Sequence, residues 1–283
     1  MIACLPMYDR PETVSAFDLL WSHIRDSLVE SGIDGAPKLL ARGNRPSAAW
    51  TNSHLLLSQT CSLPFRTYLK GKVSLVGTPD YGYESVPKGF YFSCLIANVE
   101  DARRELSQFN GCRLAFNEIS SQSGWAAPMD ESKRAGIQFG SFLRTGSHRA
   151  SALAIAEKRA DLAALDVNSW RLIERFDAVA ASLRVLGTTC STPGLPFVTA
   201  FPDLSGTLFD AIENSLMLLP DDAAEIVGFG HLVRLTESQY LAVDNPPSHI
   251  PGPCAFANRT DSSDRLDTEL PVDSERTESK LSC

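Results

Sequence analysis

The chain has 283 residues, 43% hydrophobic and 21% charged, the mix of a soluble globular protein long enough to bury a core without covalent staples. Acidic residues outnumber basic ones 34 to 26, for a net charge of −8. That argues against a nucleic-acid grip, which needs clustered Lys and Arg, and more weakly against docking on an anionic membrane.

The seven cysteines, Cys4, Cys61, Cys94, Cys112, Cys190, Cys254 and Cys283, are odd in number and never spaced C-x-x-C. Neither a zinc cluster nor a disulfide framework is expected, and no metal or cofactor is called for. No stretch approaches the roughly 18–20 apolar residues that span a bilayer. Met1–Tyr8 has no basic n-region, no signal-peptide core and no lipobox, so the chain as written reads as cytoplasmic.

In chain order, Ile2–Pro6 reads as a strand. A helix is expected over Glu12–Ser31, with Phe17, Leu20, Trp21, Ile24 and Leu28 on one face and Gly32 as its stop. Strands are expected at Lys38–Ala41, His54–Ser58 and Val73–Gly77, with a short helix at Pro64–Leu69. Tyr91–Asn98 is apolar and leads to a helix near Val99–Phe109. Then come strand Arg113–Phe116, helix Ser123–Ala135, strand Gln138–Leu143, helix His148–Arg159, strand Leu162–Leu165 and helix Asn168–Phe176. Leu183–Gly187 is a strand, Pro196–Thr199 is extended, and Gly206–Leu219 and Thr236–Val243 are helical. Between Asn258 and Cys283 there are seven acidic and four basic residues and almost no aromatic or β-branched apolar residue, so residues 252–283 are expected to be a disordered acidic tail.

Alternation of strands and helices implies an α/β fold with mixed, mainly parallel sheets flanked by helices. Ligands of such sheets bind outside the carboxyl ends of the strands. The loops there carry small hydroxyls, glycine and a few polar anchors. Tyr8 follows the first strand, Gln59-Thr60-Cys61 the third, and Thr78-Pro79-Asp80-Tyr81-Gly82 the fourth. Ser120-Ser121-Gln122-Ser123-Gly124 lies between a strand and a helix, where unpaired N–H groups and hydroxyls form an anion cradle and Gly124 leaves room for an oxyanion. Gly146-Ser147-His148 opens the next helix, and Asp166 ends the strand after it. An ordinary helix cap explains each of these alone; six such loops at one edge make a binding cleft. There is no Walker loop, no G-x-G-x-x-G after the first strand, no H-E-x-x-H and no G-x-S-x-G elbow, so no catalytic residue is assigned.

Six segments together resemble the PhnD-like phosphate, phosphite and phosphonate-binding proteins of ABC transporters, within the type 2 periplasmic-binding-protein superfamily. They are Leu5-Pro6-Met7-Tyr8, Leu57-Ser58-Gln59-Thr60-Cys61, Gly77-Thr78-Pro79-Asp80-Tyr81, Ser121-Gln122-Ser123-Gly124-Trp125, Gly146-Ser147-His148-Arg149-Ala150 and Ala160–Asp166. The resemblance implies two lobes, residues 1–86 plus 200–250 and residues 88–195, joined by crossovers near Pro87–Ser93 and Gly194–Thr199 and closing by a hinge. It implies a non-catalytic, monomeric solute-binding protein with an ABC-transporter permease as partner, and export to the periplasm if the start is misplaced. Tyr8, Gln59, Thr60 and Tyr81 would face Ser121, Ser123, Gly124, His148 and Asp166 across a small oxyanion or phosphonate-like ligand. His148 would donate to an oxygen and change charge near neutral pH, and Asp166 would accept from a P–OH or an amine. The rival readings are a small-metabolite enzyme on the same fold and a cytoplasmic ligand sensor.

Overall fold

The first strand is short because Pro6 cannot donate to a ladder, and it lies at the edge of its sheet. In chain order the strands are β1 (Ile2–Cys4), β2 (Leu55–Gln59), β3 (Ser74–Asp80), β4 (Phe90–Tyr91), β5 (Ser93–Asn98), β6 (Arg113–Phe116), β7 (Ser141–Arg144), β8 (Leu162–Asp166), β9 (Leu183–Thr188), β10 (Thr192–Pro193), β11 (Phe197–Thr199) and β12 (His231–Val233). The α-helices are α1 (Val14–Glu30), α2 (Pro46–Trp50), α3 (Ser62–Pro64), α4 (Ala127–Arg134), α5 (His148–Ala156), α6 (Val167–Phe176), α7 (Ser205–Leu216), α8 (Asp221–Val227) and α9 (Glu237–Leu241). A wider π-helical turn, Phe65–Leu69, continues α3, and another, Gln122–Ala126, leads into α4. These elements come from a computed structural model that describes residues 1–43, 46–84 and 86–250. The tail expected over 252–283 lies outside the described residues.

The strands form two five-stranded sheets, ordered β1-β2-β11-β3-β12 and β7-β6-β8-β5-β9, and a two-stranded ribbon of β10 with β4. In the first sheet β1, β2 and β3 run one way and β11 and β12 the other. In the second, β5 alone opposes β6, β7, β8 and β9. Most strands therefore share a direction, as the α/β alternation implied. Yet antiparallel pairings outnumber parallel ones, because the reversed strands β11 and β5 are interior and each meets two neighbours. Each is the next strand after an arm of the ribbon, so the chain passes from the ribbon into either sheet against its grain. Phe197–Thr199, expected in a crossover, is thus already part of the first sheet.

Helix α1 buries the stripe read from its periodicity: Phe17, Leu20, Trp21, Ile24 and Leu28, with Ala16. Each large side chain contributes about 1.5–3 kcal/mol. Gly32 ends the helix with φ +82°, and Ile33 N–H donates back to Leu28 at 2.9 Å. The helix packs on α7 and α8 over the first sheet, while α5 and α6 cover the second. Among the described residues no helix is long and apolar enough to cross a membrane.

Two expected elements are absent. Lys38–Ala41 is not a strand; it touches β1 through Ala41 N–H to Ala3 at 2.8 Å, and of its residues only Leu40 is buried. Val99–Phe109 is helical only as a 3₁₀ turn at Leu106–Phe109. The Asn98 and Asp101 side chains take the Glu100 and Arg103 N–H groups at 3.0 and 2.8 Å, local bonds that compete with helix formation. Conversely, β12, α2 and α8 were not expected. β12 gives no signal because it is three residues of an edge strand, recruited by pairing with β3.

Candidate functional site

Asp166 ends β8 and caps α6, its carboxylate accepting the N–H groups of Asn168 at 2.8 Å and Ser169 at 2.9 Å. The ordinary reading of this residue therefore holds, but it is incomplete. The same carboxylate accepts the Tyr8 hydroxyl at 3.3 and 3.2 Å, from the loop after β1 in the other sheet. Tyr81, after β3, donates to the Tyr8 hydroxyl oxygen at 3.3 Å. Tyr83 donates to Asn168 Oδ1 at 3.0 Å. The side chain of Gln59 lies against the Tyr81 hydroxyl and donates to the Leu195 carbonyl at 3.2 Å. Asp166 is 2% exposed, and burial raises its carboxyl to about 6, against the pull of its hydrogen bonds. Burial first, then the Asp166 charge, holds the Tyr8 hydroxyl well above the usual phenol range.

The serine turn forms the second group. Ser121 caps the helical segment, its Oγ accepting Gly124 N–H at 3.0 Å. Ser121 Oγ and Ser123 Oγ are 3.4 Å apart, and Ser123 Oγ is 2.9 Å from His148 Nε2. Ser147 caps α5 and so fixes His148 at its first position. His148 is partly exposed as a residue, but its Nδ1 is buried with no partner. Burial lowers its pKa to about 4, so the ring is neutral at neutral pH. The expected change of charge near pH 7 is thereby corrected: a ring held by a neutral hydroxyl has nothing to repay the desolvation of its cation.

Two further expectations change. The space beside Gly124 is filled. A Cβ there would lie 2.0 Å from Asn117 Oδ1 and 3.3 Å from His148 Cε1, so the glycine admits Asn117 rather than an oxyanion. Thr60 is fully buried and tied to the chain: its N–H donates to Pro196 at 3.0 Å and its hydroxyl approaches the Cys61 carbonyl at 3.4 Å. Gln59 and Thr60 thus hold the returning strand β11, and only Gln59 also reaches the tyrosines.

Both groups meet at one seam. Ser93, opposite Asp166 in the β5–β8 ladder, donates to the Ser123 carbonyl at 3.1 Å. From the first sheet, Cys61 Sγ accepts Gln122 N–H at 3.2 Å, and Arg66 Nη2 donates to Gln122 Oε1 at 2.7 Å. Burial first raises the Cys61 thiol, which makes it a poor nucleophile. Sequence reasoning missed Arg66, Ser93, Gln122, Tyr91 and Asn168 as parts of this seam. The one available signal was Arg66, a lone cation in the apolar run Leu63–Leu69.

A model of the ABC-transporter phosphonate periplasmic substrate-binding protein family matches residues 2–240. No curated protein matches by sequence. Among solved structures, PhnD1 from Prochlorococcus marinus in complex with methylphosphonate is similar with a TM-score of 0.65 and 15% identity, over 84% of this chain and 94% of that one. A binding-protein component of an ABC phosphonate transporter from Pseudomonas aeruginosa gives a TM-score of 0.62 and 15% identity, over 85% and 83%. XAC2383 from Xanthomonas citri, bound to ATP, gives 0.60 and 17%, over 81% and 91%. At these identities the structural likeness speaks to the two-lobed fold.

Proposed function

The chain belongs to the family of phosphonate periplasmic substrate-binding proteins of ABC transporters, and from that premise we propose that it captures a small oxyanion or phosphonate-like ligand at the seam between its sheets by hinge closure. The observation that carries this reading is the pair of hydrogen bonds across the seam, Tyr8 to Asp166 and Arg66 to Gln122. Each joins residues more than fifty positions apart, one following a strand of the first sheet and the other in or beside the second, next to the serine turn. In this reading the hinged halves are residues 1–86 plus 200–250 and 88–195, with the β4–β10 ribbon at the hinge.

The chemistry favours an oxyanion. Ser121 and Ser123 supply hydroxyls at the start of a helical segment, whose positive dipole end favours negative charge. His148, neutral, donates or accepts a hydrogen bond through Nε2, according to its tautomer. Asp166 accepts from a P–OH or an amine and, when ionised, disfavours an anion with no proton to give. Tyr8 and Tyr81 add hydroxyls from the opposite wall. The protein works as a monomer that hands its ligand to a permease on the periplasmic side of the membrane.

Calorimetric titration of the purified chain with methylphosphonate, phosphite, phosphate, sulfate and small carboxylates tests this. Saturable binding of a phosphorus oxyanion, with the ligand recovered unchanged by phosphorus NMR after long incubation, supports capture. Turnover of the ligand, or binding of carboxylates only, refutes it.

A further inference from the structure

Arg66 lies one turn into the helical segment that starts at Ser62, and it is 7% exposed. A buried guanidinium is usually matched by a carboxylate, because desolvating a full charge is costly unless an opposite charge repays it. Among the described residues Arg66 makes no ion pair. Its acceptors are all neutral: Gln122 Oε1 at 2.7 Å and the Asp244 carbonyl at 3.0 Å on Nη2, and Asn245 Oδ1 at 2.9 Å on Nε. Nη1 is buried with no acceptor. Burial pulls the guanidinium below its ordinary pKa and outweighs the nearby charge of Asp244.

A neighbouring donor shares this condition. Ser62 Oγ, four residues before Arg66 and so on the same helix face, is buried and unpaired. The buried hydroxyl of Tyr91, in the ribbon, lies beside Arg66 and within reach of Ser123 and Cys61. Buried polar atoms are almost always paired in native proteins. Here two donors, Arg66 Nη1 and Ser62 Oγ, one of them cationic, lack acceptor oxygens.

Building on the oxyanion reading above, we propose that Arg66 is the charged anchor of the ligand. It reaches from the helical segment after β2 with Ser62, beside Tyr91 of the ribbon, to close on an anion that Ser121 and Ser123 hold from the other half. The seam then supplies neutral dipoles from one half and a formal charge from the other. Gln122 and Asn245 fix the guanidinium fork, so Nη1 is oriented before the ligand arrives and little freedom is lost on binding. The class of ligand follows. A tetrahedral –PO₃ or –SO₃ group has three oxygens and can face both sides at once. A planar carboxylate has two and leaves one side unserved.

The test compares the wild type with Arg66→Met and Arg66→Lys, by thermal melting without ligand and by calorimetry with methylphosphonate, methanesulfonate and acetate. The wild type binds both tetrahedral anions more tightly than acetate. Arg66→Met weakens them by about 10- to 150-fold, the range for losing a hydrogen bond to a charged group, and flattens the dependence of affinity on salt. Arg66→Lys keeps part of the affinity. Without ligand, Arg66→Met melts at or above the wild-type temperature, since an uncompensated charge has left the interior. If Arg66→Met binds methylphosphonate as the wild type does, or melts well below it, Arg66 is a structural residue and the proposal is wrong. If the wild type takes up neither tetrahedral anion, the oxyanion reading itself fails and this one falls with it.

Discussion

Replacing Asp166 by Asn removes one charge and little else. Asn Oδ1 can still accept the Asn168 and Ser169 N–H groups and the Tyr8 hydroxyl, so the α6 cap and the link across the seam persist. What goes is a carboxylate whose pKa burial raises from 3.8 to about 6. At about 1.4 kcal/mol per pH unit this is about 3 kcal/mol of unfavourable ionisation in the folded state. The folded chain holds this proton more tightly than the unfolded chain does. The contribution is therefore fully stabilising below 3.8 and is lost as pH rises through about 6. Below pH 3.8 the two proteins should have similar stability. At pH 8 Asp166→Asn should be the more stable by up to about 3 kcal/mol, or roughly 6–12 °C in Tm for a unit of this size. His148 runs the other way, its stability falling as pH drops from 6.5 toward 4, but it is the same in both proteins and cancels in the difference. Thermal melts from pH 3.5 to 8 read the effect. A difference that does not change with pH refutes the claim that Asp166 ionises at a cost, and with it the electrostatic description of this wall.

Ser121→Ala with Ser123→Ala should weaken phosphonate binding by about 1–3 kcal/mol, read by calorimetry; unchanged affinity removes the serine turn from the site. Gly124→Ala places a Cβ 2.0 Å from Asn117 Oδ1 and should cost about 1–3 kcal/mol in a denaturant melt, with part recovered in the double variant Asn117→Ala/Gly124→Ala. Asp177, after α6, meets Arg10, before α1, at 2.9 Å and Arg149 at 2.7 Å. Asp177→Ala should open the unliganded molecule, seen as a larger radius of gyration in solution scattering, and weaken ligand binding roughly 5- to 30-fold, or about 1–2 kcal/mol. No change in either quantity means that this ion pair does not hold the halves together.

The elements that sequence specified best are those whose pattern is long or internally consistent. α1 follows from its apolar stripe and Gly32, and β6 and β8 from short apolar runs between turn residues. The loops carrying Tyr8, the serine turn, His148 and Asp166 were legible too, because strand ends and helix starts leave a local signature of hydroxyls, glycine and a capping carboxylate. Where local hydrogen bonds outbid the pattern, as at Asn98 and Asp101, the expected helix did not form. Pairings were not legible: β12 and the β4–β10 ribbon are too short to carry a pattern and exist only because a partner strand is present. Nor were the properties that depend on neighbours distant in sequence. The neutrality of His148, the raised carboxyl of Asp166 and the unmatched charge of Arg66 all come from burial by residues far along the chain. A residue's type and local spacing are written in the sequence, whereas desolvation and hydrogen-bond partners are set by which surfaces the fold brings together.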